Sequence, residues 1–215
     1  MRYNGILFDL DGTLLDTSEL IIKSFQHTVN RHYNKAADVG IVKEYFGRPL
    51  RAALEQLGPD KVEEMLQTYR EYNLLYHDQL AKVFSGVAQT VAELFDAGIA
   101  LGIVTSKTQA TALRGLRLFD LDKFFPVLIG LEQCSNHKPH PQPVELALAA
   151  LGLPAGECLM VGDSPNDILS ARAAGVKTVA VRWSEGPWEQ ILAAEPDYVI
   201  ESMSELTGLC GLRQT

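Results

Sequence analysis

The chain has 215 residues, 47% of them hydrophobic, and its 19 basic and 27 acidic residues give a net charge of −8. This length and apolar content predict one globular domain or a core with a modest insertion, and the charge argues against nucleic acid or an anionic membrane as the main partner. No apolar run approaches the roughly 18 residues of a membrane span, and three cysteines without C-x-x-C spacing indicate no zinc site, so a cytoplasmic protein is expected.

Several short, continuously apolar runs predict buried parallel strands, because a strand covered on both faces lacks polar alternation. Helical patterns lie between them, and three of these patterns are followed by glycine, as helix ends commonly are. The alternation predicts an α/β fold with a doubly wound, mostly parallel sheet. The predicted strands are 5–10, 99–104, 127–131, 158–161 and 178–181, with an edge strand at 198–200, and the predicted helices are 87–96, 108–118, 143–150 and 164–174.

One stretch, from about residue 16 to residue 82, has helical periodicity and no convincing strand. A crossover between neighbouring strands is normally much shorter. We therefore predict an α/β core of residues 1–15 and 83–215 with a helical cap subdomain, residues 16–82, inserted after the first strand. The cap is either a decoration or a lid over the carboxyl ends of the strands, and its insertion beside acidic residues favours the lid.

Carboxylates follow two of the predicted strands. Asp9 and Asp11 come after the first strand, and Asp163 and Asp167 follow the strand at 158–161. Either pair alone is compatible with a solvated turn or a helix cap. Two pairs at the mouths of buried strands are costly without a cation. Hard oxygen ligands of this kind suit Mg²⁺.

Complementary groups follow the other strands. The stretch Thr105-Ser106-Lys107 places hydroxyl and N–H groups before a helix, which is a natural phosphate cradle. Lys138 lies in a loop stiffened by prolines and is expected to be a positioned charge. Gly12 and Thr13 supply backbone freedom and a hydroxyl where the chain turns after the first strand.

These four motifs occur in the order found in the haloacid dehalogenase superfamily, which the chain resembles over essentially its whole length. The resemblance implies that Asp9 is the nucleophile of an aspartyl-phosphate intermediate. It implies that Asp11 is the general acid and base. It also implies that Thr105 and Lys138 hold the transferring phosphoryl group.

The resemblance further implies an Mg²⁺ ion bound by Asp9, by the backbone carbonyl of Asp11 and by Asp163. Asp167 is expected either to bind the ion or to orient a neighbouring group. The expected substrate-binding residues are Gly12, Thr13, Arg48, Thr105, Ser106, Lys107 and Lys138, and for Lys107 a contact with solvent is the alternative.

The leaving group is the least determined feature. Residues 19–28, 62–70 and 102–107 look like the bacterial pyrophosphatases of this superfamily, whereas the general frame is shared with phosphoglycolate phosphatases. Pyrophosphate is the expected substrate, with phosphoglycolate or another small phosphomonoester as the alternative. A phosphomutase and a phosphorylated receiver-type signalling module are less favoured, and the oligomeric state stays open. Arg48, in the stretch 46–50, is either a contact to an anionic leaving group or a solvated arginine at a helix start.

Overall fold

A computed structural model describes residues 3–186 and 188–212. Six strands form one sheet in the order β5-β4-β1-β6-β7-β8, and every neighbouring pair is parallel. Two further strands, β2 and β3, form a short antiparallel pair. The predicted α/β fold with a parallel sheet is confirmed. The strands are β1 (Gly5–Phe8), β2 (Leu15–Asp16), β3 (Lys82–Val83), β4 (Ala100–Val104), β5 (Val127–Ile129), β6 (Cys158–Gly162), β7 (Lys177–Val181) and β8 (Tyr198–Ile200).

The helices either flank the sheet or lie in the inserted stretch between β2 and β3. Three glycines that follow helices, Gly98, Gly152 and Gly175, have φ values of 79°, 69° and 77°, so these helices end in the left-handed conformation predicted for them. The helices are α1 (Ser18–Tyr33), α2 (Val39–Lys43), α3 (Leu50–Leu57), α4 (Val62–Leu80), α5 (Val87–Asp96), α6 (Gln109–Leu118), α7 (Gln142–Leu151), α8 (Pro165–Ala173), α9 (Trp188–Ala193) and α10 (Glu205–Leu209).

Strand β1 lies at the centre of the sheet and is buried on both faces. Ile6 and Phe8 pack into one hydrophobic cluster with residues of α5 and α6. Leu7 points the other way and packs into a second cluster with residues of α7 and α8. All three side chains have 0% exposure. This segment therefore lacks polar alternation because both of its faces are buried, as the sequence pattern indicated.

Two strands end earlier than predicted. β1 ends at Phe8 rather than at residue 10, because the backbone turns there: the N–H groups of Leu14 and Leu15 both donate to the carbonyl of Leu10. β5 ends at Ile129 rather than at residue 131, because residues 131–133 form a 3-10 turn. Both differences occur where the chain leaves the sheet to form the candidate site. A run of apolar side chains therefore overestimates the length of these two strands.

The inserted stretch is helical and has its own hydrophobic cluster. Helices α1 to α4 contribute side chains that include Phe25, Leu54, Met65 and Tyr69 to this cluster. The β2–β3 pair brings the two connections to the rest of the chain together. The division into a core and a cap at residues 16–82 stays a prediction, but a separate hydrophobic cluster is what such a subdomain requires.

Polar contacts join this helical part to the core. Arg114 on α6 donates to both carboxylate oxygens of Asp78, each at 2.9 Å, and to the carbonyl of Leu74, also at 2.9 Å. On the opposite side, the Asn166 side chain donates to the carbonyl of Gly47 at 3.2 Å. These contacts hold the helices over the carboxyl edge of the sheet.

Among the described residues, no helix is both long and apolar enough to cross a membrane. The cytoplasmic location stays a prediction.

Leu7→Ala is expected to lower the free energy of unfolding by about 2–5 kcal/mol, because it leaves a cavity at the centre of the sheet. Val199→Ala is the matched control: Val199 lies on the edge strand β8 and is 42% exposed, so a loss below about 1 kcal/mol is expected. Urea unfolding measures both. Equal losses for the two variants would contradict the placement of β1 at the centre.

Candidate active site

The candidate site lies at the carboxyl edge of the sheet, around the end of β1. Phe8 is level with Ile103 of β4 on one side and with Val161 of β6 on the other. The chain therefore leaves β1 beside the ends of both neighbouring strands, where open α/β sheets bind ligands. The side chains brought to this edge are those of Asp9, Thr105, Asp163 and, from the loop after β5, Lys138.

Lys138 is the buried cation of the site, with an exposure of 5%. Its Nζ donates to Oδ1 of Asp9 at 2.8 Å, to Oδ1 of Asp167 at 2.6 Å and to the carbonyl of Val104 at 3.0 Å. An ammonium group has three protons, so these contacts use all of them. Burial alone would lower the pKa of Lys138, but Asp167 and Asp9 together raise it above its usual value. Lys138 is thus a fixed positive charge.

Asp167 is held on both carboxylate oxygens. Oδ1 accepts from Lys138, while Oδ2 accepts from the Oγ of Ser164 at 2.6 Å and from its backbone N–H at 3.0 Å. Ser164 is the N-cap of α8 and Asp167 completes a capping box, so the local sequence fixes this geometry. These contacts favour an orienting role for Asp167 over a metal-binding one, and its role stays a prediction.

Three buried carboxylates crowd around Lys138. Asp9, Asp163 and Asp167 each have an oxygen within 4.8 Å of the others. The pKa of Asp9 is raised to about 7, mainly by burial. The positive charge of Lys138 lowers this pKa in part, and the negative charges of Asp167 and Asp11 raise it further. Burial, together with the charges of Asp9 and Asp167, also raises the pKa of Asp163 well above its usual value.

The charges of this cluster do not balance. When all three carboxylates are ionised, they and the one ammonium group carry a charge of −3 + 1 = −2. A divalent cation would neutralise this excess, and carboxylate oxygens are the ligands that Mg²⁺ prefers. The donor set therefore fits a divalent metal ion.

Asp163 is oriented by neighbouring hydroxyl groups. Oδ1 accepts from Thr13 at 3.3 Å, and Oδ2 accepts from Ser184 at 2.6 Å. Gly12 passes close to this carboxylate: its φ is +82°, and an added Cβ would lie 2.0 Å from Oδ2 of Asp163. Gly12 and Thr13 thus contact Asp163, and their predicted contact with the substrate stays a prediction.

The Asp11 side chain contacts Lys107 and Thr17. Its Oδ1 lies 2.7 Å from Nζ of Lys107 and accepts a hydrogen bond from Thr17 at 2.5 Å. This arrangement is compatible with the prediction that only the backbone carbonyl of Asp11 faces a metal ion. Lys107 was predicted at the substrate, and the structure pairs it with Asp11. Ser106, beside it, is partly exposed.

A cavity of about 270 Å³ lies between residues 44–52 and the segments that contain Lys138 and Asn166. The loop before α3 approaches α8 so closely that a Cβ on Gly47 would lie 2.5 Å from Cβ of Ser164. Arg48 follows in this loop, with its guanidinium 5.9 Å from the centre of the Tyr45 ring. Arg48 lines the same cavity, and its contact with the substrate stays a prediction. The lining residues are Glu44, Phe46, Arg48, Pro49, Ala52, Lys138, Pro139, Pro165, Asn166 and Gln190.

Sequence reasoning missed two residues that hold the acids. Ser184 follows β7, and the rule that strand ends meet at one edge would have identified it. Thr17 directly precedes α1, and its contact with Asp11 depends on the path of the turn after β1, which no local pattern signals.

In the metal-free protein, kept in EDTA, the free energy of unfolding is expected to fall as the pH rises from about 5 to about 8. The folded pKa of Asp9, about 7, lies above the ordinary value of 3.8, so the folded protein binds more protons than the unfolded one across this window. Urea unfolding at a series of pH values measures the slope. Asp9→Asn is expected to make it shallower, and a level or rising wild-type curve would contradict the burial of these acids.

The comparisons with known proteins agree with this geometry. The sequence profile described as haloacid dehalogenase-like hydrolase matches residues 6–181. A relative from Caldanaerobacter subterraneus is 51% identical over 206 residues, covering 96% of this chain and 94% of the relative. A protein of Anoxybacillus flavithermus named pyrophosphatase PpaX is 44% identical over 212 residues, covering 99% of both chains. The solved structure of a haloacid dehalogenase-like hydrolase from Streptococcus pneumoniae aligns with a TM-score of 0.86 at 28% identity, covering 96% of this chain and 97% of that one.

Proposed function

The chain belongs to the haloacid dehalogenase-like hydrolases, and on this premise we propose that it hydrolyses inorganic pyrophosphate, with Mg²⁺ and through a phosphorylated Asp9. The observation that carries the reaction is the buried Asp9 carboxylate, held by Lys138 within a cluster of three buried acids. The substrate is supported by relatives that match nearly the whole chain and are named pyrophosphatase.

Asp9 is the nucleophile. Lys138 holds its Oδ1 at 2.8 Å, and we assign the attack on phosphorus to Oδ2. A bond forms between Oδ2 and phosphorus, the bridging P–O bond breaks, and its electron pair leaves with the second phosphate. Lys138 and Thr105 are both buried. The charge of Lys138 offsets the negative oxygens of the transferring group, and the Thr105 hydroxyl orients them.

Asp11 moves the protons. It gives a proton to the departing phosphate, and its carboxylate then takes one from the water that attacks the phosphorylated Asp9. In this second step the P–O bond to Asp9 breaks. The free Asp9 carboxylate is restored, and the phosphoryl group is released as the other phosphate. Asp11 suits the task because it is only partly buried and its Oδ1 is held by Lys107 and Thr17.

Asp9, the backbone carbonyl of Asp11 and Asp163 would hold the Mg²⁺ ion. When bound, the ion supplies positive charge that offsets the carboxylates and the phosphate oxygens. Thr13 and Ser184 keep Asp163 in place, and Gly12 leaves room for its carboxylate. Asp167 orients Lys138.

The cavity beside Lys138 supports an anionic leaving group, because Arg48 lines it. Its volume of about 270 Å³ has room for a phosphate. A guanidinium group binds two phosphate oxygens at once, so Arg48 is assigned to the leaving phosphate.

Asp9→Asn is expected to lower kcat for pyrophosphate by about 10⁴-fold or more, because an amide is not a competent nucleophile. Asp11→Asn is expected to lower kcat by about 10²–10⁴-fold. Asp60→Asn, at an exposed carboxylate in the cap, is the matched control and should keep full activity. Phosphate release in Mg²⁺ measures all three, and near-normal activity of Asp9→Asn would exclude the mechanism.

The substrate is tested by comparing kcat/KM in Mg²⁺ for pyrophosphate, phosphoglycolate and a sugar phosphate. We expect the value for pyrophosphate to exceed the others by at least about tenfold, because only pyrophosphate offers a phosphate leaving group to Arg48. Arg48→Gln should reduce this preference. A higher value for phosphoglycolate would assign the enzyme to phosphomonoesters instead.

A further inference from the structure

We propose that Lys107 is a positioning residue for Asp11: it holds Oδ1 of the carboxylate, so that Oδ2 is presented for proton transfer, and it does not bind the substrate. This inference rests on the proposed role of Asp11 as acid and base. It assigns Lys107 to the proton-transfer step, whereas the residue type and its place in a phosphate cradle suggest a phosphate ligand.

The first support is the contact itself. Nζ of Lys107 lies 2.7 Å from Oδ1 of Asp11, and the two side chains are only 15% and 19% exposed. The Nζ atom is buried, and among the described residues none accepts a well-aligned hydrogen bond from it. The contact is therefore electrostatic, and Asp11 is its ion-pair partner. Since an unpaired buried charge is costly, each residue stabilises the other in this position.

The second support is that Lys107 has a fixed backbone. Its N–H donates to Oγ1 of Thr105 at 3.2 Å, and its carbonyl accepts from the N–H of Leu131 at 2.8 Å. Helix α6 begins two residues later, at Gln109. The long side chain therefore starts from a rigid loop, which is what a positioning role requires.

The third support is the choice of oxygen. Thr17 donates to Oδ1 of Asp11 at 2.5 Å, the same oxygen that Lys107 contacts. Two groups on one oxygen fix the rotation of the carboxylate and leave Oδ2 for the reaction. Thr17 comes from the junction with the cap and Lys107 from the core loop after β4, so Asp11 is held from two sides.

The competing possibility is that Lys107 leaves Asp11 and binds a phosphate oxygen. The site already has a fixed positive charge beside the nucleophile in Lys138, whose three protons go to Asp9, Asp167 and the carbonyl of Val104. If Lys107 moved to the substrate, Asp11 would lose its counter-charge at the moment of proton transfer. Each of the two carboxylates assigned to the reaction thus has its own lysine: Lys138 pairs with Asp9, and Lys107 pairs with Asp11.

A double-mutant cycle separates the two possibilities. We compare Lys107→Met, Asp11→Asn and the double variant by kcat and KM. A positioning residue acts through Asp11, so Lys107→Met should lower kcat by about 10–100-fold with a change in KM below about threefold. In the Asp11→Asn background it should change kcat by less than about twofold. Lys107→Arg should recover much of the lost rate, because it keeps the charge.

Thr17→Val provides a second variant, because it removes the other donor to Oδ1 and nearly keeps the side-chain volume. It should show the same dependence on Asp11. Lys177→Met is the matched control. Lys177 is paired with Asp197 and lies at the amino end of β7, away from the carboxyl ends of the strands, so its loss should leave kcat unchanged. Thermal unfolding curves confirm that the variants fold.

Independent, multiplicative losses in the cycle, or a large rise in KM with kcat unchanged, would overturn the proposal and make Lys107 a substrate ligand. The cycle can be run with p-nitrophenyl phosphate if pyrophosphate is not turned over. A wrong substrate therefore leaves the test of Lys107 intact, and a failed cycle leaves the pyrophosphatase proposal intact.

Discussion

The site depends on one ammonium group placed between two buried carboxylates. Lys138 lies 2.8 Å from Asp9 and 2.6 Å from Asp167, and all three side chains are almost inaccessible to solvent. Because Asp163 lies in the same cluster, one positive charge does not compensate three negative ones. Lys138 favours the ionised form of Asp9 in this buried site, but an excess of negative charge remains, which a divalent ion is suited to offset.

The sheet makes this crowding possible because it fixes where each chain segment ends. β1 lies between β4 and β6, so the residues after these strands must meet. The side chains around them then reduce the remaining freedom. Ser164 holds Asp167, and Ser184 holds Asp163. Gly12 is needed because the backbone passes Asp163 at a distance that excludes a Cβ.

Much of this could be predicted from sequence. Continuous apolar runs indicated buried parallel strands, and strand ends in a parallel sheet lie at one edge, so the meeting of Asp9, Thr105, Lys138 and Asp163 followed from pattern alone. The pairing of Lys107 with Asp11 could not be predicted in this way. It depends on the turn that ends β1 early and on the path of the loop after β4, and both are set by tertiary packing.

The most direct test of this excess of negative charge is calorimetric titration of Mg²⁺ into the metal-free protein at about pH 6.5, in buffers of different ionisation enthalpy. With the pKa of Asp9 near 7, the buried acids carry a proton before the ion binds. We expect binding to release about one proton and to be lost in Asp163→Asn. Binding without proton release, or binding of equal strength in Asp163→Asn, would contradict the account.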